Sequence, residues 1–206
     1  MTRVIAGAAR GRRLAVPSGR HTRPTSDRAR EGLFGTLTAI RGPLDGARVL
    51  DLYAGSGAVG LEALSRGAER VLFVEADAGS ARVIRGNLAV VGLPGGQIVT
   101  GRVERVLARG ARGGEHSGGE AAGEPVYDLV VADPPYAAAD EDVAAMLAAL
   151  RDGSWLAPGA VVAVERATRS GPVHWPRGYT PDRSRRYGEA TFWYGLAAGN
   201  QAAKAQ

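Results

Sequence analysis

The chain has 206 residues, 45% of them hydrophobic, which is enough for one globular domain with a sizeable core. It contains no cysteine, and this excludes disulfides, thiolate catalysis and cysteine-based metal sites. The net charge is +5, and residues 1–30 carry eight arginines and one aspartate, so the basic excess lies at the amino terminus.

The first predicted element is a basic β-hairpin. Residues 3–6 and 12–16 are typical of two short strands joined by a glycine-containing turn. Arg10, Arg12 and Arg13 flank that turn, and a hairpin would bring them to one rim. We therefore predict that these arginines contact nucleic-acid phosphates, with a merely solvated basic terminus as the alternative.

A helix is predicted to follow the hairpin and to open the main domain. Thr25 or Ser26 can cap its amino terminus. Leu33, Phe34 and Leu37 recur on one face, which indicates that this face packs against a core.

Beyond residue 47, strand and helix patterns alternate. The predicted strands are "ARVLDLY", "RVLFVEA", "QIVTG", "VYDLVVAD" and "GAVVAVER", and a final hairpin is predicted within "HWPRGYTPDRSRRYGEATFWYGLA". The predicted helices are "AVGLEALSRG", "DAGSARVIRGNLAVVG", "VERVLARG" and "DEDVAAMLAAL". Repeated βα units of this kind indicate an α/β fold, a parallel sheet with helices on both faces.

A glycine-rich turn joins the first of these strands to its helix. Gly55, Gly57 and Gly60 allow a ligand to approach the backbone at a helix amino terminus. Glu75 ends the next strand, 20 residues after Gly55, where a carboxylate can accept both hydroxyls of a ribose. The spacing favours a nucleoside site over an ordinary tight turn with a surface glutamate.

Asp51 narrows the choice of nucleoside. It precedes the glycines by four residues and ends its strand, where a carboxylate would repel a pyrophosphate. It suits a ligand with positive charge, such as the sulfonium and amino group of S-adenosylmethionine. We therefore predict a methyl donor rather than NAD, with no metal.

The sequence "DPPY" ends a later strand of the same sheet. At a strand's carboxyl end, Asp133 and the Pro134 carbonyl are two acceptors suited to an NH₂ group, and the two prolines stiffen their loop. Hydrogen bonds from both amino protons would free the nitrogen lone pair for attack on a methyl group. Tyr136 can stack on a base that has left its helical stack. A rigid strand–loop corner with a capping aspartate is the alternative.

We predict two parts along the chain. A basic arm is expected over residues 1–24 and a catalytic domain over residues 25–196. Residues 110–125 are low in complexity and are predicted to form a flexible surface insertion, and residues 197–206 a disordered tail.

These motifs together resemble the RsmD-type family of class I S-adenosylmethionine-dependent methyltransferases. The similar segments are "RVIAGAARGRRLAVP", "TRPTSDRAREGLF", "LDLYAGSGAVGLEALSRGA" with "VEAD", "DPPY" and "RRYGEATFWYG". The resemblance covers about residues 3–196, and its amino-terminal segments are more specific than the glycine loop or DPPY.

The resemblance implies a Rossmann-like, mostly parallel seven-stranded sheet with an antiparallel last strand and a small amino-terminal hairpin. It implies methylation of the exocyclic N2 amino group of one guanine in 16S ribosomal RNA. Donor-binding residues by this match are Asp51, Tyr53, Gly55, Gly57, Glu75, Thr25 and Arg30, and the acceptor site is Asp133, Pro134 and Tyr136. The sequence "TGRVER" lacks the acidic or amide residue such enzymes often place near adenine, so Arg102 or the backbone around Val103 must serve there.

Other functions stay open on sequence alone. DPPY also serves amino-methyltransferases of DNA adenine or cytosine and of protein glutamine, although the basic arm disfavours a protein substrate. An NAD-dependent oxidoreductase is disfavoured by Asp51. A non-catalytic RNA-binding module would not need the glycine loop with Glu75. We expect a cytoplasmic monomer without membrane spans, acting on ribosomal RNA or the assembling small subunit.

Overall fold

A computed structural model of the chain describes residues 2–17, 26–111 and 126–198. The predicted flexible insertion lies almost wholly outside these residues, as do Thr25 and most of the predicted tail. None of the helices in the described ranges combines the length and apolar character that crossing a bilayer requires.

The amino-terminal hairpin is present but shorter than predicted. Strand β1 (Thr2–Arg3) pairs antiparallel with β2 (Arg13–Leu14). The hairpin pairing ends after Val4, whose amide still donates to the Arg12 carbonyl oxygen at 2.9 Å, because the amides that follow bond to helix α2 (Ala58–Ser65). The amides of Ile5 and Ala6 donate to the Glu62 carboxylate at 2.7 and 3.0 Å, so the turn is docked onto the main domain.

The main domain contains a seven-stranded sheet. Its strands are β3 (Arg48–Leu52), β4 (Arg70–Glu75), β5 (Gly96–Thr100), β6 (Tyr127–Ala132), β7 (Leu156–Ala167), β8 (Tyr179–Tyr187) and β9 (Ala190–Ala197). The other helices are α1 (Asp27–Arg41), α3 (Ala78–Val91), α4 (Val103–Leu107) and α5 (Asp140–Asp152). Every predicted strand and helix of this domain is therefore confirmed, with small changes at the ends.

The strand order is β5-β4-β3-β6-β7-β9-β8. Strands β3 to β7 are parallel, whereas β9 is antiparallel to both β7 and β8, which confirms the predicted antiparallel last strand. The chain winds outward from β3 to β5 and then returns to the other side of β3, so the winding direction reverses between β3 and β6. In open parallel sheets a ligand crevice lies at such a switch point, outside the carboxyl ends of the strands.

Two apolar cores cover the two faces of the sheet. Helices α1, α2 and α3 pack on one face around Leu33, Phe34 and Leu61. Helices α4 and α5 pack on the other face, together with Trp155. The buried parallel strands have near-continuous apolar sequences, as expected when both faces of a sheet are covered.

Candidate active site

Three carboxylates project from the same face of the sheet at the ends of adjacent strands. Asp51 lies in β3, Asp133 follows β6, and Glu165 lies in β7. The residues two positions before them (Val49, Val131 and Ala163) belong to the core under α1, α2 and α3, and strand side chains alternate with period two. The carboxylates therefore form a row on that side of the sheet, across the switch point.

This row crowds negative charge into a buried space. Burial raises the pKa of Asp51 from 3.8 to about 8, and the charge of Glu75 adds to the effect. Burial also raises the pKa of Asp133 well above its ordinary value, followed by the charges of Glu165 and Asp51. Such shifts show that the site favours a cation or a hydrogen-bond donor over another anion.

The glycine loop is held in place by two carboxylates, those of Asp51 and Glu75. The Gly60 amide donates to Asp51 Oδ2 at 2.9 Å. The Gly55 amide donates to Glu75 Oε2 at 2.7 Å, and the Asp77 amide donates to Glu75 Oε1 at 2.8 Å. Each Glu75 oxygen keeps a further lone pair, because a carboxylate has about four acceptor positions. The two backbone amides therefore fix the orientation of the Glu75 carboxylate, which can still accept hydrogen bonds from two hydroxyls.

The loop places glycine at three positions, and the local geometry differs at each of them: Gly55, Gly57 and Gly60. Gly55 has φ +56°, and a Cβ built there meets only the Tyr53 carbonyl oxygen at 3.9 Å, so the loop leaves open space for a ligand. Gly57 caps α2 in the left-handed region with φ +75°. A Cβ on Gly60 would lie 2.3 Å from the Phe73 ring, because α2 crosses β4 closely there. The loop therefore fits a nucleoside set against the start of α2.

Tyr53 occupies the bend directly after β3. Its φ of 59° is rare for a residue with a side chain, and such strain is concentrated at functional sites. Burial raises the pKa of its hydroxyl to about 12, with the charges of Glu104 and Asp142 contributing. Tyr53 is thus held between α4 and α5, at the edge of the glycine loop.

The DPPY segment lies beside Tyr53. The Asp133 amide meets the Leu52 carbonyl at 3.4 Å, so the ends of β6 and β3 are still neighbours at this point. Pro134 is buried, whereas Tyr136 is 52% exposed. The prediction that an exposed aromatic follows a fixed carboxylate at this edge matches the geometry, while the roles of these residues stay a prediction.

A cavity of about 490 Å³ opens next to DPPY. It lies between the start of α1, the end of β7 and the β8–β9 turn, and its lining includes Ser26, Arg28, Tyr136, Glu165, Arg186 and Tyr187. Its volume suits a nucleotide-sized ligand.

The sequence interpretation missed Glu165. The signal was an ionisable residue within the buried strand "AVVAVER", and the structure shows that it is 5% exposed and belongs to the site. Glu62 was missed as well. It is fully buried in α2 and binds the amino-terminal hairpin.

The side chain of Arg30 is bound by the amino-terminal hairpin and by acidic residues of α1 and α2. Its guanidinium is fully buried and donates to Thr2 Oγ1 at 3.1 Å and to Asp27 Oδ1 at 2.9 Å. It also bonds to the Arg3 carbonyl oxygen and lies 3.9 Å from Glu62. These contacts fasten the hairpin to α1 and α2, and they give no support to the predicted donor contact.

The arm arginines lie on the surface as predicted. Arg10, Arg12 and Arg13 are exposed around the hairpin turn, and Arg12 Nη1 donates to the Val90 carbonyl oxygen at 2.9 Å. Their contact with phosphate stays a prediction. Arg102, proposed for the adenine, caps α4 and is exposed.

Solved structures share this fold over almost the whole length of the chain. One titled "Putative methyltransferase yhhF from Escherichia coli" is 29% identical, with a TM-score of 0.79, and the match covers 96% of this chain and 98% of that one. A hypothetical protein of Thermus thermophilus is 31% identical, with a TM-score of 0.73 and coverage of 94% and 98%. The fold and the site at its switch point define a class I methyltransferase.

The family follows from the sequence comparisons. A family model described as "Conserved hypothetical protein 95" matches residues 2–195. Ribosomal RNA small subunit methyltransferase D of Escherichia coli is 34% identical over 177 residues, covering 84% of this chain and 80% of the relative. The protein of the same name from Haemophilus influenzae is 32% identical over 179 residues, covering 86% and 84%. The chain belongs to this RsmD family, which confirms the resemblance seen in the sequence.

Proposed function

We propose that this protein transfers a methyl group from S-adenosylmethionine to the exocyclic N2 amino group of a guanine in 16S ribosomal RNA. The observation that carries the proposal is the placement of Asp51 and Asp133 at the ends of two adjacent strands, two residues apart in register, at the switch point beside the glycine loop. The names of the relatives in two bacteria support the RNA substrate.

The residues around the loop fit the methyl donor. Glu75 would accept the ribose hydroxyls, and the open space at Gly55 would hold the methionine part. Asp51 would attract the amino group, since a buried carboxylate with a raised pKa gains most from a nearby cation. When bound, the donor supplies a methyl group on sulfonium sulfur and leaves as the neutral thioether S-adenosylhomocysteine.

At the acceptor side the chain must activate a poor nucleophile. The N2 lone pair of guanine is delocalised into the ring, so the amino group is weakly nucleophilic. Asp133 and the Pro134 carbonyl would each accept one N2 proton, which localises the lone pair and directs it at the methyl carbon. The new C–N bond forms as the S–C bond breaks, and Asp133 or water then takes one proton from the methylated nitrogen.

The substrate is ribosomal RNA, free or within an assembling small subunit, and the protein acts as a cytoplasmic monomer. Exposed Arg10, Arg12 and Arg13 would contact phosphates beside the target base. Tyr136, at the mouth of the cavity, would stack on the base once it has left its neighbours.

The experiment uses donor labelled at the methyl group and an unmodified 16S ribosomal RNA transcript, both free and assembled into small subunits. The proposal predicts one labelled guanine, with the label on N2 after digestion to nucleosides. Duplex DNA and a glutamine-containing peptide serve as competing substrates. Label on either of these and not on RNA, or NAD binding in calorimetry where S-adenosylmethionine gives no heat, would reject the proposal.

A further inference from the structure

We propose that Glu165 is the residue that selects guanine, by accepting the N1–H proton of the base whose N2 group Asp133 holds. The proposal rests on the proposed function and adds a specificity-determining residue to it. Nothing in the DPPY sequence itself distinguishes guanine from another purine that carries an amino group.

Glu165 lies where a second acceptor for the same base is needed. Ala132 of β6 pairs with Val164 of β7, so the residues that follow them, Asp133 and Glu165, are level on neighbouring strands. The charge of Glu165 is the largest electrostatic contribution to the raised pKa of Asp133, after burial. The two carboxylates therefore face a common space.

Glu165 also lines the cavity beside DPPY, together with Tyr136 and Tyr187, although the residue is only 5% exposed. A base entering from the Tyr136 side would thus meet Glu165 in the cavity wall, with Asp133 level with it on the neighbouring strand.

The end of β7 is held rigidly at this point. The neighbouring Arg166 projects to the opposite face, where Nη1 donates to the Ala138 carbonyl oxygen at 2.9 Å and Nη2 bonds to Asp140 at 2.7 Å. These bonds connect β7 to the loop after DPPY. A specificity residue requires this kind of support, because a loosely held carboxylate would adapt to other bases.

Guanine matches two adjacent acceptors. Its N1–H and N2–H₂ donors lie side by side on one edge of the ring, so one carboxylate can hold N2 while the next accepts N1–H. A 2-aminopurine base keeps the 2-amino group but has an unprotonated N1 acceptor, which would face Glu165 with lone pair against negative charge. A buried polar group that is left unpaired, or that faces a like charge, strongly disfavours the substrate that carries it. We therefore expect the wild-type protein to prefer guanine over 2-aminopurine by about 10²-fold or more.

The test compares guanine with 2-aminopurine at the nucleotide mapped as the methylation site. The base is introduced by ligating a synthetic oligonucleotide into 16S ribosomal RNA, in whichever form the wild-type protein methylates. The Glu165→Gln variant keeps the size of the side chain and gains an amide donor, which can bind the unprotonated N1 of 2-aminopurine. The wild-type ratio of kcat/KM for guanine over 2-aminopurine is expected to be at least about 10², and the variant ratio about 10 or less.

Glu69→Gln is the matched control, because Glu69 is exposed at the amino ends of the strands, opposite the site. It should keep the wild-type ratio. If Glu165 were only structural, or only tuned Asp133, Glu165→Gln would slow both bases equally and leave the ratio unchanged, which would overturn the inference. If wild-type protein methylated no guanine N2, the proposed function would fail first and this inference with it.

Discussion

The proposed donor side and the proposed acceptor side of this site are built differently. On the donor side, Asp51 and Glu75 are bound to backbone amides of the glycine loop, and all the groups come from residues 51–77. On the acceptor side, Asp133 is level with Glu165 on the neighbouring strand, and Glu165 and Tyr136 line a cavity whose walls come from α1, β7 and the β8–β9 turn. The donor side is therefore a local structure, whereas the acceptor side depends on packing between distant segments.

This difference indicates which part of the site can change between enzymes with different substrates. A nucleoside donor is common to many methyltransferases, and a contiguous strand–loop–helix unit suffices to hold it. The acceptor is what distinguishes one enzyme from another, and its walls lie on elements that can change independently. Variants that damage one side and spare the other test this division.

The largest expected effect is on the acceptor side. Asp133→Ala should slow methyl transfer by about 10²–10³-fold, because it removes a charge-stabilising contact made in the transition state. Single-turnover kinetics with saturating donor measures the loss, and calorimetry should find donor affinity nearly unchanged. Asp152→Ala, at an exposed position of α5, is the control. Unaltered turnover in Asp133→Ala would remove Asp133 from the mechanism.

On the donor side, two glycine substitutions should separate binding from folding. Gly55→Ala places a methyl group in open space at positive φ, so donor affinity should fall about tenfold and unfolding free energy by about 1–2 kcal/mol. Gly60→Ala should chiefly destabilise the fold, because its Cβ would meet Phe73 and Val71.

Calorimetry and urea unfolding check both variants. Gly35→Ala, in α1 with no atom within 4 Å of the built Cβ, is the control. Equal loss of donor affinity without loss of stability in Gly60→Ala would contradict the packing role.

The raised pKa of Asp51 predicts a pH dependence of stability. Between about pH 4 and pH 8 the folded protein holds a proton on Asp51 that the unfolded chain has lost, so stability falls as pH rises through this window. Asp51→Asn should remove up to about 1.4 kcal/mol per pH unit of that slope.

Urea unfolding of donor-free protein at several pH values measures the slope. Asp45→Asn, at an exposed position outside the site, is the control. A slope identical in wild type and Asp51→Asn would show that Asp51 is already ionised in the free protein.

The smallest effect concerns the arm, which belongs to neither side. Replacing Arg10, Arg12 and Arg13 with alanine should flatten the salt dependence of RNA binding by about 0.7–0.9 slope units per lost phosphate contact. Titrations at several salt concentrations measure the slope. A matched triple of exposed arginines elsewhere, Arg105, Arg109 and Arg177, should change it less. Equal slopes for the two triples would show that the arm arginines are only solvated.

The arrangement of the proposed donor side follows from the sequence more directly than that of the proposed acceptor side, for a physical reason. Asp51, the glycines and Glu75 are close in sequence, and their spacing follows from one strand–turn–helix unit. Glu165 lies 32 residues after Asp133, and only the pairing of β6 with β7 brings the two together. The contacts of Arg30 could not be predicted either, because nothing in its local segment reveals that its guanidinium is buried against the hairpin.

The most direct test of the central claim uses a bisubstrate compound in which the adenosyl part of the donor is joined by a short linker to guanosine N2. If the two sites adjoin, the compound should bind about 10²-fold or more tightly than either half, and Asp133→Ala should abolish the gain. The same linker attached at guanine N7 should give little gain. Equal affinities of the N2-linked compound and the adenosyl half would contradict adjoining donor and acceptor sites.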